Sequence, residues 1–165
     1  MARSRVASTL RTFLVNSVAG PAVVPGSVRK RLLRLGGIRV GQRAYVSPGC
    51  MFVGPPVTIG ERCFIARRCT FESGVEVGSD VDIGPGVNLL TSTHEPGTRE
   101  RRAGRGILEP VKVGDGTWIG AASTVLPGVT IGAGCVIAAG SLVTADCDPH
   151  GLYAGVPAKR RRDLP

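Results

Sequence analysis

The chain has two histidines, His94 and His150, whose side chains change charge most easily near neutral pH. His94 lies in Thr91-Ser92-Thr93-His94-Glu95-Pro96, and His150 in Asp148-Pro149-His150-Gly151, a turn by composition. A neutral imidazole beside a hydroxyl can take its proton as the oxygen attacks an electrophile, a form of catalysis worth typically about 10²–10⁴-fold. The cysteines, Cys50, Cys63, Cys69, Cys135 and Cys147, are odd in number and form no C-x-x-C. They read as buried thiols in a reducing compartment, neither a disulfide frame nor a metal site. A single tryptophan, Trp118, and the basic run Lys159-Arg160-Arg161-Arg162 are further candidates for binding.

These groups must be positioned by a repeat. Every sixth residue from Ile59 gives Ile59, Ile65, Phe71, Val77, Ile83 and Leu89; from Val113 it gives Val113, Ile119, Val125, Ile131, Ile137 and Val143. Two residues before each stand Val57, Cys63, Cys69, Val75, Val81 and Val87, then Val111, Thr117, Ser123, Val129, Cys135 and Ser141. Residues i and i−2 share a strand face, so each unit predicts a short strand with two inward side chains, followed by a turn. Gly often follows the large residue, as at Gly60, Gly78 and Gly114, where positive φ or a close backbone approach is required. The step from Leu89 to Val113 is 24 residues, four whole units, so 93–110 reads as a loop thrown out of a continuous coil. A weaker trace, Val40, Val46 and Phe52, slips by one residue at Gly54-Pro55-Pro56. Aromatics at 4% and 24 glycines suit a narrow core of small and branched side chains.

The net charge of +9 sits entirely in the first 60 residues, which hold nine Lys or Arg and no Asp or Glu. The cations are not interleaved with aromatics, which argues against a nucleic-acid partner. Residues 6–18 place Val6, Leu10, Phe13, Leu14 and Val18 on one helical face. Residues 27–35 predict a second helix with Ser27 as N-cap and Gly36-Gly37 as its stop. Segment 1–37 is read as helices that cap the open edge of the coil; contact with a membrane surface through Arg29, Lys30, Arg31 and Arg34 is the alternative. No apolar run reaches the roughly 18 residues of a membrane span. The coil proper is expected over 38–147, and 148–165 is expected to be a turn and a basic tail with Arg160 and Arg161 solvated.

The repeat resembles the hexapeptide-repeat family, and the ordered motifs resemble its sugar O-acetyltransferase branch, which includes galactoside and maltose acetyltransferases. The motifs are Thr93-His94-Glu95-Pro96, Trp118-Ile119-Gly120-Ala121, Pro127-Gly128-Val129-Thr130-Ile131-Gly132, Ala138-Ala139-Gly140-Ser141-Leu142-Val143-Thr144 and Ala154-Gly155-Val156-Pro157-Ala158-Lys159 through Arg162. The resemblance implies an all-β fold, a left-handed parallel β-helix of about five coils, with short N-terminal helices and one long loop excursion. It implies acetyl-CoA as co-substrate without a metal, a homotrimer with sites between subunits, a sugar or glycoconjugate hydroxyl as acceptor, and a cytoplasmic location. By the same resemblance His94 is the general base. Trp118 walls the site near the acceptor and the pantetheine arm, Ala121 and Ala139 let that arm lie close, and Thr144, Lys159 and Arg162 serve the nucleotide end. A backbone N–H near Ala121 is the oxyanion donor. Arg68 falls, by register, where galactoside-type enzymes carry an acceptor-binding Asn, and points to a different, anionic acceptor or to an intersubunit ion pair. The acidic acceptor-binding residue of those enzymes' N-terminal region has no counterpart in residues 1–60.

Two other functions on this fold are excluded by residue count or by length. A carbonic anhydrase needs three metal-binding histidines where this chain has two. A serine acetyltransferase needs a far larger helical N-terminal domain. The rival from another class is a non-catalytic hexapeptide scaffold, in which His94 is dispensable.

Overall fold

A computed structural model describes residues 9–165. The chain winds into a triangular prism with three parallel sheet faces. Face A stacks strands 38–40, 57–59, 75–77, 111–113 and 130–131; face B stacks 45–46, 64–65, 82–83, 118–119 and 136–137; face C stacks 51–53, 70–72, 88–89, 124–125 and 142–143. Each coil visits A, B and C in turn, and consecutive coils pair in register, as Val57 with Val75 and Val75 with Val111. The chain therefore makes five full coils and begins a sixth, in which Cys147 pairs with Ile131 and Leu152 with Val136.

The core is the two residue columns read from the sequence. All of the large positions from Ile59 to Val143, and all of their i−2 partners, are buried, Thr117, Ser123 and Ser141 included. The polar members and the thiols share one task. Each points into a corner and donates to a corner carbonyl: Cys63 Sγ to Gly78 O at 3.0 Å, Thr117 Oγ1 to Gly132 O at 3.0 Å, Cys135 Sγ to Asp148 O at 3.1 Å, and Ser123 Oγ to Ala138 O at 3.0 Å. Buried carbonyls need such donors, which is why a small side chain with a hydrogen is used where a methyl would fit. All five cysteines are free and buried. Burial pushes the Cys147 thiol up to about 12, so it is no nucleophile near neutral pH.

The glycines after the large residues serve close approach. A Cβ on Gly60 would lie 2.4 Å from the Gly78 carbonyl oxygen directly above it. Positive φ belongs to the residue two places on, such as Arg62 (54°), Asp80 (58°), Gly116 and Gly134.

The N-terminal segment seals the lower end, with a rotation that hydrophobic periodicity does not show. A π-helical turn spans Phe13–Val18 and a helix spans Gly26–Leu35. On the first, Val15 and Ala19 are buried, whereas Leu10, Phe13 and Val18 of the expected apolar face are exposed; Val6 lies outside the described residues. The orientation is set by Asn16, whose side-chain amide pairs with both the N–H and the C=O of Phe52 on the lowest rung of face C (2.9 and 3.0 Å). Ser27 is not the N-cap either, because the second helix starts at Gly26 and is capped by Pro25 without a side-chain bond. Its cations are donors to the lower edge. Arg29 is 3% exposed and donates to the carbonyls of Ala19, Pro21, Val24 and Val46. Lys30 donates to Gln42 and Ala44 and Arg34 to Val40. The membrane-surface alternative thus loses three of its four cations to backbone carbonyls. No helix among the described residues is long and apolar enough to cross a membrane.

The other end departs from the expected turn and solvated tail. Strand 151–155 continues face B, and strand 158–163 folds back on it antiparallel. Arg160 is exposed but not a free tail residue. It donates to Tyr153 Oη (2.9 Å) and to the Asp148 and Pro149 carbonyls, and pairs with Asp163.

Candidate functional site

The excursion that carries His94 is an antiparallel hairpin, strand 92–96 with strand 103–108, leaving the prism at the edge between faces C and A. Its root is held by one carboxylate. Glu72, on face C one coil below, accepts from the Thr91 N–H, the Ser92 N–H and the Ser92 hydroxyl, each at 2.8 Å. Burial by itself would raise the Glu72 pKa, but the hydrogen bonds from Ser92 and Thr91 outweigh it and hold the carboxyl below the usual range. Thr91 adds a bond from its hydroxyl to Ser73 O (2.7 Å) and receives the Glu109 N–H, which closes the root. Two residues beyond this clamp stands His94, exposed, opposite Gly106, with a register shift between His94 and Pro96. Glu95, inserted between His94 and the proline, forms a two-bond ion pair with Arg105 across the hairpin (2.5 and 3.1 Å). Sequence reasoning named neither Glu72 nor Arg105. The partners of Glu72 lie a whole coil away, and a six-residue period tells only which side chains face in.

The other candidates occupy a different edge. Between faces B and C the corner residues stack in two columns: Arg67, Pro85, Ala121 and Ala139, then Arg68, Gly86, Ala122 and Gly140, tied by Gly86 N–H to Arg67 O, Ala122 N–H to Pro85 O and Gly140 N–H to Ala121 O. Ala121 and Ala139 make the upper part of this edge smooth, and among the described residues their N–H groups donate to no acceptor of the chain. Trp118 stands outward on face B, 57% exposed, between Asp82 below and Val136 above. Lys159 and Arg162 lie exposed on the terminal hairpin that extends face B upward, paired with Ala154 and Leu152. Arg68 sits low on the B–C edge with Arg67 beside it, a residue sequence reasoning passed over although it adjoins Arg68 in Ala66-Arg67-Arg68. Thr144 follows face C at the C–A edge, two coils above the root of the hairpin. His150 is a turn residue with φ 54°, at a corner position that Gly134 fills one coil below.

One chain thus gathers Trp118, Ala121, Ala139, Lys159 and Arg162 along face B and its edge with C, and sets His94 and Thr144 on the edge between C and A. His94 near the root of the clamped hairpin and the B–C edge with its unpaired N–H groups therefore lie on different edges of one chain. No group of three or more His, Cys, Asp or Glu among the described residues is placed to hold a metal.

Known proteins share this fold. The family model "Bacterial transferase hexapeptide (six repeats)" matches residues 56–91 and 110–145, breaking where the hairpin leaves the coil. Galactoside O-acetyltransferase of Escherichia coli K12 is 34% identical over 145 residues, 85% of this chain and 71% of that one. A Schizosaccharomyces pombe relative provisionally named an acetyltransferase is 41% identical over 110 residues, 66% of this chain and 53% of its own length, so the chain matches about half of that relative. A galactoside acetyltransferase solved in complex with coenzyme A superposes with a TM-score of 0.86 at 29% identity, over 98% of this chain and 82% of that one. With its paired coils, its single excursion and these relatives, the chain belongs to the hexapeptide-repeat acetyltransferases, the left-handed β-helix family that includes the galactoside and maltose enzymes.

Proposed function

We propose that the protein transfers an acetyl group from acetyl-CoA to a hydroxyl of a sugar or glycoconjugate, by direct transfer in a ternary complex, with His94 as general base. The observation that supports this reading is the hairpin clamped by Glu72, on which His94 is exposed. The imidazole removes the acceptor proton as the oxygen attacks the thioester carbonyl. The tetrahedral intermediate expels the CoA sulfur as the C–S bond breaks, and the proton held by His94 passes to the leaving thiolate. A backbone N–H at Ala121, which has no acceptor among the described residues, is the candidate donor to the oxyanion. Ala121 and Ala139 let the pantetheine arm lie along the B–C edge, with Trp118 as its wall and the acceptor's. Thr144, Lys159 and Arg162 serve the nucleotide end, and Arg68 the acceptor. The same reading assigns a homotrimer, as the assembly that would bring the C–A edge of one protomer to the B–C edge of the next. A cytoplasmic location fits five free thiols and a CoA-dependent reaction.

The test is thiol release from acetyl-CoA with a panel of sugars, comparing wild type with His94→Ala. Acceptor-dependent release that falls by about 10²–10⁴-fold in the variant, with CoA binding retained, is the expected result. A wild type that neither binds CoA nor releases thiol with any acceptor replaces the transferase by a hexapeptide scaffold.

A further inference from the structure

We infer that the low end of the B–C edge is an oxyanion subsite, and that the acceptor carries a phosphate or carboxylate group seated on Arg67 and Arg68. This rests on the transferase reading for the identity of the ligand as acceptor, but the subsite itself rests on the groove.

The groove is open, about 310 Å³, and is walled by Gly20, Pro21 and Ala22 on one side and Pro48 and Gly49 on the other, with Arg67 and Arg68 along it. The walls are rigid. The Gly49 N–H donates to Gly20 O at 2.9 Å, and buried Arg29 holds the carbonyls of Ala19, Pro21 and Val24. The walls contribute no acid, because Asp and Glu are absent from residues 1–60.

The two arginines differ from Arg62 on the same coil. At the neighbouring corner Arg62 adopts the same left-handed conformation (φ 54°), and its guanidinium is engaged by Asp80 through two bonds of 2.6 Å. Arg68 adopts φ 61° where Gly49, Gly86 and Gly140 take the position in other coils, a conformation disfavoured for a long side chain. Yet among the described residues neither Arg67 nor Arg68 forms an ion pair or donates a hydrogen bond from its side chain. Two adjacent guanidinium groups over a groove without acids offer the forked donors that match a phosphate or carboxylate.

Position ties the groove to the site. Arg67 stands in the column of Ala121 and Ala139, two coils below Ala121, which is about 10 Å at a strand spacing of about 4.8 Å. That is the span of one or two sugar rings. An acceptor anchored at the arginines would present a hydroxyl near the free Ala121 N–H, while the CoA arm lies above. The nucleotide end of CoA is directed to the opposite, upper end, so the phosphates of CoA do not account for the pair.

The test uses matched acceptors, glucose against glucose 1-phosphate and glucuronate, with wild type, Arg67→Gln, Arg68→Gly and the double variant. Gly already fills the Arg68 position in other coils, so that variant keeps the fold. Thiol release is read as the ratio of kcat/KM for charged over neutral acceptor, and equilibrium binding of glucose 1-phosphate is read by calorimetry without turnover. The expected result is a wild-type ratio on the order of tenfold or more, falling toward one in the double variant through KM, with KM for acetyl-CoA unchanged. Salt should erode the wild-type ratio and leave that of the double variant level. A wild-type ratio near one, or a ratio that the substitutions do not change, overturns the subsite while leaving the transferase standing. Weaker CoA binding in the variants with no change in the ratio also overturns it, by assigning the arginines to CoA. Arginine-dependent binding of glucose 1-phosphate with no acetyl transfer to any acceptor keeps the subsite and removes the transferase.

Discussion

The coils below the hairpin and those above it share one backbone and use it differently. Below, the inward columns hold the aromatics Phe52 and Phe71, stacked with ring centroids 5.2 Å apart, and the B–C edge carries Arg67 and Arg68. Above, the inward columns of the fourth and fifth coils hold only aliphatic residues, small hydroxyls and a thiol, with the buried ring of Tyr153 entering in the sixth, and the B–C edge carries Ala121 and Ala139. The repeat itself specifies only in and out, so the edge residues are free to differ without disturbing the core. The corners can therefore vary, one coil at a time, on a frame that they do not alter.

Four substitutions sharpen or break this contrast. Phe71→Ala should have the largest effect, a loss of about 3–5 kcal/mol read from denaturant midpoints, because the ring is fully buried and stacks on Phe52. Ala139→Arg transplants the lower edge into the upper. It should weaken acetyl-CoA binding by about tenfold to a hundredfold by calorimetry while leaving the melting temperature nearly unchanged, since the residue is exposed. Equal CoA affinity in that variant would remove the upper edge from the CoA path.

Glu72→Gln loosens the joint between the two halves. It should lower kcat by about tenfold, with KM for acetyl-CoA little altered, and speed amide exchange across the hairpin at 92–108. The pH dependence has a definite sign. The folded carboxyl titrates below its ordinary value near about 4.3, so its grip is complete above that value and is lost as pH falls through the lower folded one. Wild type should lose hairpin protection in that acid window, and Glu72→Gln should lack the step. Smallest of all, Cys69→Ser should shift stability by less than about 1 kcal/mol, because Cys69 Sγ donates to Gly84 O much as Ser123 Oγ donates to Ala138 O two coils up.

The inward half of the molecule was legible because two residues in every six must be buried, and both columns are buried without exception from Val57 to Val143. The excursion that carries His94 was legible because the pattern breaks around it and resumes in phase. What escaped was set by polar contacts that no period encodes. The rotation of the first helix depends on an amide, Asn16, taking the place of a strand's peptide group. Arg29 reads as a surface cation until the carbonyls that bury it are seen, and Arg160 reads as solvated tail until Tyr153 and Asp163 are found beside it. Glu72 was invisible for a related reason: its partners lie a coil away, on the outward side where composition is unconstrained.

Asn16 has one more consequence. A solenoid has no intrinsic length: every rung presents the next with the same row of donors and acceptors, and an uncovered end is a seed for growth by another copy. By offering Phe52 one donor and one acceptor from a side chain instead of a strand, Asn16 satisfies the rung without presenting a rung of its own. The amide acts as a chain terminator in a polymer of sheet, and Asn16→Leu should convert a discrete particle into one that lengthens end to end.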